Sequence, residues 1–499
     1  MNLPAFVWII LTALLASPLI YLSGHLRLRS VEGSLARWTA LLALLLAWIP
    51  FFQTAQQLGQ GAQVGFMVGS IRLCFDGISL LLAAVTLGLG TLVVLFSGPY
   101  LAGEIGQDKY YAMLVAMIGV MVGLGCACDL FNLWIWFEAM AVCSYLLVVF
   151  YRQQPLSLEA GFKYLIQSAA GSILVLAGIS LVLSKTGTLD LDRIKATGAS
   201  GDPVLLVAGA LFVAGFGVKA ALVPLHTWLP DAHSQAPSGI SAMLSGVVIE
   251  AGLIAMLRSL HALAAISTIW GPLLLGAGAL NMLIGNLMAF RQHQVKRLLA
   301  YSSLAHMGYM LLGLGIAVYA GQANGAQGSM FHLLNHGMMK GLAFLAAGAF
   351  LYVLYIASGT HHPLTIEDLS GAARRYPLAG LTLSLALLGL AGLPPLAGFM
   401  SKWQIIVSGF ETHNGWILAL AVFAALNSVF SLAYYSPLIN VMYRQEESVP
   451  VKAGAPLPAG MSIPLVFLSV FILLAGIWPG LTYWLTAPAG ASLLTAFSR

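Results

Sequence analysis

Apolar runs follow one another along almost the whole chain, separated by short stretches rich in Gly, Pro and charged residues. A membrane-spanning helix needs about 20 mostly apolar residues. On that rule the pattern predicts fourteen spans. They lie near 5–23, 37–54, 77–97, 111–128, 130–150, 163–184 and 203–224, then near 239–260, 265–290, 298–318, 328–357, 378–410, 414–442 and 461–485. The seventh carries Pro224, and the twelfth is long and contains Pro394-Pro395, so both are expected to be broken. The expected fold is an all-α polytopic membrane bundle. The first apolar run has no preceding Lys or Arg and is read as a retained span rather than a signal peptide.

Composition supports lipid as the solvent. Hydrophobic residues make up 60% and charged residues 8%, against about 25% charged in soluble domains. The net charge of +5 comes without a dense basic face, which argues against nucleic acid as a partner. Basic residues instead report topology. With the N-terminus outside, the inner loops hold Arg27, Arg29, Arg37, Lys109, Arg152, Lys163, Arg291, Lys296, Arg297, Arg374, Arg375, Arg444 and Lys452. The outer side holds Arg72, Lys185, Arg193, Lys195, Arg258 and Arg499. That excess favours an outer N-terminus. Cys74, Cys126, Cys128 and Cys143 lie in or beside apolar segments and are read as small buried residues, with Cys126-Ala-Cys128 as a redox pair the alternative.

Three lysines remain, all inside spans: Lys219, Lys340 and Lys402. With Glu138 and Glu250 they form a set of five ionisable residues at membrane depth. Insertion of each costs roughly 3 kcal/mol, about 15 kcal/mol together, which a chain selected only for packing would avoid. Burial and a neighbouring carboxylate act in opposite directions on a lysine's proton affinity. Lys219 is therefore a candidate proton carrier, with a permanent buried ion pair the competing reading, and Glu138 is a carboxylate able to tune a partner lysine. His332, His336 and Lys340 follow i, i+4, i+8 spacing and fall on one helix stripe; histidine titrates nearest neutral pH. Structural, hydrogen-bonded histidines are the competing reading. Lys402 follows the Pro-Pro break and is expected to face a polar cavity, or else to snorkel towards a headgroup. Glu250 is expected either to pass a proton between Lys219 and Lys402 or to act as counter-ion to one of them. His226, Asp231 and His233 cluster at an inner helix end, a point of proton uptake in preference to a metal site.

The chain also carries a trace of an internal repeat. The segment from Lys163 to Leu174 aligns with that from Lys340 to Leu351 at six of twelve positions. Downstream, each half has a Pro-interrupted apolar segment with a lysine, Lys219 in one and Lys402 in the other. Paired broken helices in repeated halves mark the transported ion's site.

Several segments resemble the proton-conducting membrane subunits of respiratory complex I and of Mrp-type cation/proton antiporters. They are Phe216-Gly-Val-Lys-Ala-Ala-Leu-Val-Pro-Leu-His-Thr-Trp-Leu-Pro-Asp-Ala-His233, Val295 to Gly308 with His306, His332-Leu-Leu-Asn-His-Gly-Met-Met-Lys340, and Gly392 to Lys402. Asp129 to Glu138 is most similar to the Mrp D and complex I N-type subunits. The resemblance covers about residues 75–445. It implies two inverted five-helix repeats, here 111–260 and 265–445, flanked by N-terminal helices over 1–110 and a C-terminal helix over 446–499. It also implies a relay through Glu138, Lys219, Glu250 and Lys402, with His226, His306, His332, His336 and Lys340 along the proton pathway. Glu250 departs from the family, which usually has Lys or His there. The chain ends soon after the fourteenth predicted span, without the lateral helix of the L-type subunit, so that type is not expected.

No P-loop, GxGxxG, GxSxG or zinc motif occurs in convincing context. NADH, quinone, flavin and iron–sulfur clusters are expected only in partner subunits. The function expected is a proton-translocating subunit of a complex I-like or membrane hydrogenase assembly in a bacterial plasma membrane. An Mrp-type Na⁺/H⁺ antiporter subunit and a structural scaffold are the rivals.

Overall fold

The computed structural model describes residues 3–25, 35–61, 64–69 and 71–497. Arg27, Arg29 and Arg499, used above to orient the chain, lie outside the described residues. The chain opens with α1 (Ala5–His25) and α2 (Leu35–Gly59), then β1 (Val64–Val68) and β2 (Ile71–Phe75), then α3 (Gly77–Tyr100), α4 (Gln107–Gly125) and α5 (Leu130–Val148). Next come α6 (Pro155–Thr186), α7 (Leu191–Thr197), α8 (Pro203–Lys219), α9 (Trp228–Gln235), α10 (Ser238–Met243) and α11 (Ile249–Ala262). The second half runs α12 (Trp270–Phe290), α13 (Val295–Ala320), α14 (Ala323–Leu354), α15 (Ala372–Arg375), α16 (Pro377–Ala391), α17 (Ala397–Glu411), α18 (Gly415–Met442), α19 (Val449–Ala453), α20 (Ala459–Ile477) and α21 (Tyr483–Phe497).

Length and apolarity qualify twelve of these helical stretches as membrane spans, α10–α11 counting as one through the π-helical turn Leu244–Val248. The two shorter apolar helices, Pro203–Lys219 and Pro377–Ala391, belong to the two segments the sequence marks as broken. The protein is thus a helical, multi-pass membrane protein. It adds one feature that the apolar pattern does not announce, the antiparallel β1–β2 hairpin.

Helix position follows sequence. The stretch Ser238–Ala262 is buried throughout its most apolar window, whereas Gly415–Met442 is mostly exposed, as a lipid-facing helix must be. Small residues allow the closest crossings. A Cβ built on Gly246 would stand 2.9 Å from the Gly337 carbonyl oxygen, so only glycine lets the π turn and α14 approach this far.

The hairpin corrects the reading of the cysteines. Cys74 on β2 donates its N–H to the Cys126 carbonyl, and its sulfur is bonded to that of Cys128. Cys126 and Cys143 are the free, buried thiols. Neither the reading of all four as inert core residues nor the Cys126–Cys128 pair therefore holds. The disulfide lies at the bundle end that also holds α7 and α21, where Lys195 donates to the Ala496 carbonyl (2.7 Å). Arg258, counted among the basic residues of the outer side, is buried against Asp76, Nη2 to Oδ1 at 2.9 Å. At the opposite end, Lys163 and Arg297 share Asp231 (3.1 and 2.6 Å), and Arg444 pairs with Glu367 (3.0 Å).

Candidate functional site

Each broken helix leaves a lysine at a helix C-terminus. α8 ends at Lys219, and the chain runs irregularly to α9 with Ala221 at φ 53°. Asn281 of α12 accepts the Val223 N–H (2.8 Å) and donates to the Ala221 carbonyl (3.1 Å). Trp228 Nε1 donates to the Val218 carbonyl (2.7 Å). Protein groups thus satisfy the opened backbone, the condition under which it survives at membrane depth. α16 likewise ends where Gly392 turns the chain at φ 84°. Lys402 reaches back from α17 and donates to the Leu390 carbonyl (2.7 Å) and Ser428 Oγ (3.0 Å). The carbonyls at a helix C-terminus are partially negative, which suits an ammonium.

Lys219 is fully buried. It donates to Tyr164 Oη (2.8 Å) and Ser168 Oγ (3.3 Å), and lies 4.3 Å from the centre of the Tyr164 ring, which stacks on Trp228 at 3.9 Å. Among the described residues no carboxylate oxygen lies within 4.0 Å of its nitrogen. The expected Glu138–Lys219 pairing is therefore not a direct contact. Glu138 Oε1 is buried without a hydrogen-bond partner.

Glu250 is the counter-ion of neither lysine. Its Oε1 lies 2.8 Å from His336 Nδ1, with both side chains fully buried, just after the π turn and beside the Gly246–Gly337 crossing. The ring of His306 stands 5.2 Å from that of His336. His306 Nδ1 lies 3.0 Å from His332 Nε2, and His332 Nδ1 lies 2.9 Å from Ser401 Oγ, one residue before Lys402. Towards the first half, α11 meets Lys219 at Gly252, where a built Cβ would stand 3.0 Å from Lys219 Cβ. The buried groups thus brought together are Glu250, His336, His306, His332 and Ser401, with Lys219 packed against α11 on one side and Lys402 next in sequence to Ser401 on the other.

The side chains of the stripe His332, His336 and Lys340 do not share one set of partners. Its histidines join that cluster, but Lys340 turns to the Leu299 carbonyl (2.8 Å) and Ser302 Oγ. The snorkelling alternative for Lys402 fails, because its side chain is 3% exposed. Asp231 is held by Lys163 and Arg297 rather than by His226 or His233. His226 is not part of the cluster; its Nδ1 is buried without a partner. His233 is fully buried and stacks on Phe344 at 4.6 Å, with neither ring nitrogen bonded.

Sequence reasoning missed Tyr164, Ser168, Ser401 and Ser428. They are neutral and common, and only the fold aims them at charges. It also placed Lys296 in an inner loop, whereas that side chain is buried and donates to the Ala236 carbonyl. Nothing in the sequence separates Lys296 from Arg297: adjacent helical residues point about 100° apart, and the adjacent Arg374 and Arg375 of α15 are both exposed.

The match to the family described as NADH:quinone oxidoreductase/Mrp antiporter, TM, spans residues 127–428. F(420)H(2) dehydrogenase subunit N of Methanosarcina mazei is 32% identical over 477 residues, covering 93% of this chain and 94% of that protein. NADH-quinone oxidoreductase subunit N of Desulfitobacterium hafniense is 33% identical over 425 residues, covering 81% and 82%. A chain of the membrane-bound sulfane sulfur reductase, an archaeal respiratory membrane complex, superposes with a TM-score of 0.86 at 28% identity over 99% of both chains. The sequence resemblance, the two broken helices and these relatives agree: the chain belongs to the NADH:quinone oxidoreductase/Mrp antiporter membrane-subunit family.

Proposed function

We propose that the chain is the proton-translocating membrane subunit of a redox-driven complex of the quinone oxidoreductase or related dehydrogenase kind. The observation that carries this reading is the buried cluster of titratable side chains between two lysines held only by neutral oxygens. An ammonium bonded to hydroxyl and carbonyl oxygens can lose its proton without stranding an anion at hydrogen-bond distance. A tight ion pair cannot do so, because the buried carboxylate left behind would be uncompensated.

In this scheme a proton loads Lys219 under the field of Glu138. Uptake at one end of the bundle involves the region of His226 and His233. The Glu250–His336 pair takes the proton at the junction of the two halves, and His306, His332 and Ser401 hand it to Lys402. The halves 111–260 and 265–445 act as the two inverted five-helix repeats. Glu250 in place of a cation is offset by His336 against it, so one proton shared between carboxyl and imidazole gives the central station two states. Flavin, iron–sulfur, NADH and quinone chemistry belongs to partner subunits. Their redox events act here by shifting the Glu138–Lys219 interaction.

The orientation we propose puts the disulfide end outside, in a bacterial plasma membrane, with the N-terminus on that side. Two independent arguments support it: the excess of basic residues at the other end, and the persistence of disulfides in oxidising compartments. In spheroplasts, a membrane-impermeant maleimide is expected to label the chain only after reduction, and only at Cys74 and Cys128. Labelling confined to inverted vesicles would reverse the orientation.

Co-purification from mild detergent with mass spectrometry of the partners tests the assembly. Iron–sulfur, flavin or hydrogenase subunits are the expected result. Recovery of small hydrophobic antiporter subunits alone would replace redox drive by Mrp-type ion exchange.

A further inference from the structure

Where α1, α4 and α5 meet, at the bundle end carrying Lys163 and Arg297, a groove of about 750 Å³ opens on the outside of the bundle. Its walls are apolar: Pro18 from α1, Met113 from α4, and Leu146, Leu147 and Phe150 from α5 and its end. Lys109, in the first turn of α4, and Arg152, just beyond α5, line the same groove at its polar end, with Tyr21 beside them.

Neither cation makes a side-chain hydrogen bond or ion pair among the described residues. Others at this end are engaged: Lys163 with Glu159 and Asp231, Arg297 with Asp231, Arg444 with Glu367. The acidic residue of the groove, Asp108, lies 3.6 Å from His25, so its charge has a neighbour other than the two cations. Among the described residues the groove therefore offers two unpaired positive charges at the polar end of an apolar wall long enough for acyl chains.

We infer that this groove is a binding site for an anionic phospholipid, its phosphate held by Lys109 and Arg152 and its chains lying along Met113, Leu146 and Phe150. Basic pockets between transmembrane helices are suited to such headgroups. A zwitterionic lipid fits the walls equally well but brings a choline or amine into the field of the two cations. Charge thus selects the anionic class. This inference does not rest on the proton-transport reading.

The test uses the intact complex, purified in mild detergent and stripped of lipid. It is then offered phosphatidylglycerol or phosphatidylcholine in mixed micelles, and lipid retained on this subunit is counted by native mass spectrometry. The expected result is at least a fivefold preference for phosphatidylglycerol. K109Q/R152Q should abolish it, while K109R/R152K and the distant K452Q keep it. A photo-cross-linker at Met113 should capture lipid. The inference is overturned by an equal count of the two lipids on the wild-type subunit, by an undiminished preference in K109Q/R152Q, or by cross-linking at Met113 to a protein neighbour alone.

Discussion

Lys219→Ala, assembled in the intact complex and reconstituted in vesicles, is expected to lower proton transport per electron by roughly 10²-fold, the scale on which a positioned proton carrier contributes. Lys219 donates to Tyr164 and Ser168, and in the proposed scheme it is the group that Glu138 tunes. Alanine removes both the bonds and the proton. Lys219→Met separates packing from chemistry, because it nearly fills the space without carrying a proton, and it should be as defective as alanine. Glu138→Gln should also reduce transport, but less, since Glu138 makes no direct contact with Lys219. The measurement is the ratio of acidification to electron transfer in the same vesicles. Wild-type ratios in both Lys219 variants would remove the scheme and leave the scaffold reading.

The second large effect is expected at the centre. Glu250→Gln keeps a hydrogen-bonding group against His336 but cannot ionise, so transport should fall by roughly 10² while thermal stability changes little. His336→Ala strips the partner from a fully buried carboxyl, which costs about 1–3 kcal/mol, and both stability and transport should drop. The interchange Glu250→His with His336→Glu restores the pair with its ends exchanged, and should recover part of both losses. A double-mutant cycle on stability measures the coupling. Additive losses, with no recovery on interchange, would mean that the two residues do not work as a proton-sharing pair.

The apolar pattern alone determined the class of fold, because lipid leaves a chain few ways to satisfy its backbone; of its fourteen expected spans, twelve helical stretches are long and apolar enough to cross. It also found five ionisable residues inside the bundle, since each is too costly to be incidental: Glu138, Lys219, Glu250, Lys340 and Lys402 all lie within its helices, though it put the buried Arg258 and Lys296 at the rims. Spacing placed His332 and His336 on one face. What spacing could not supply was direction across helices. Whether Glu250 meets a lysine or a histidine depends on the Gly246–Gly337 crossing. Whether Lys340 joins His336 or turns to Leu299 depends on where α13 lies. Only the folded chain could place Tyr164, Ser168 and Ser428 beside the lysines, since a neutral hydroxyl on an apolar helix carries no signal until an ammonium stands opposite it. The Cys74–Cys128 bond likewise depends on a hairpin that brings together residues 54 positions apart. Sequence thus settles which residues pay for leaving water, because that cost belongs to each residue alone. Only tertiary structure decides what each meets, because a partner's position depends on how helices distant in the chain cross.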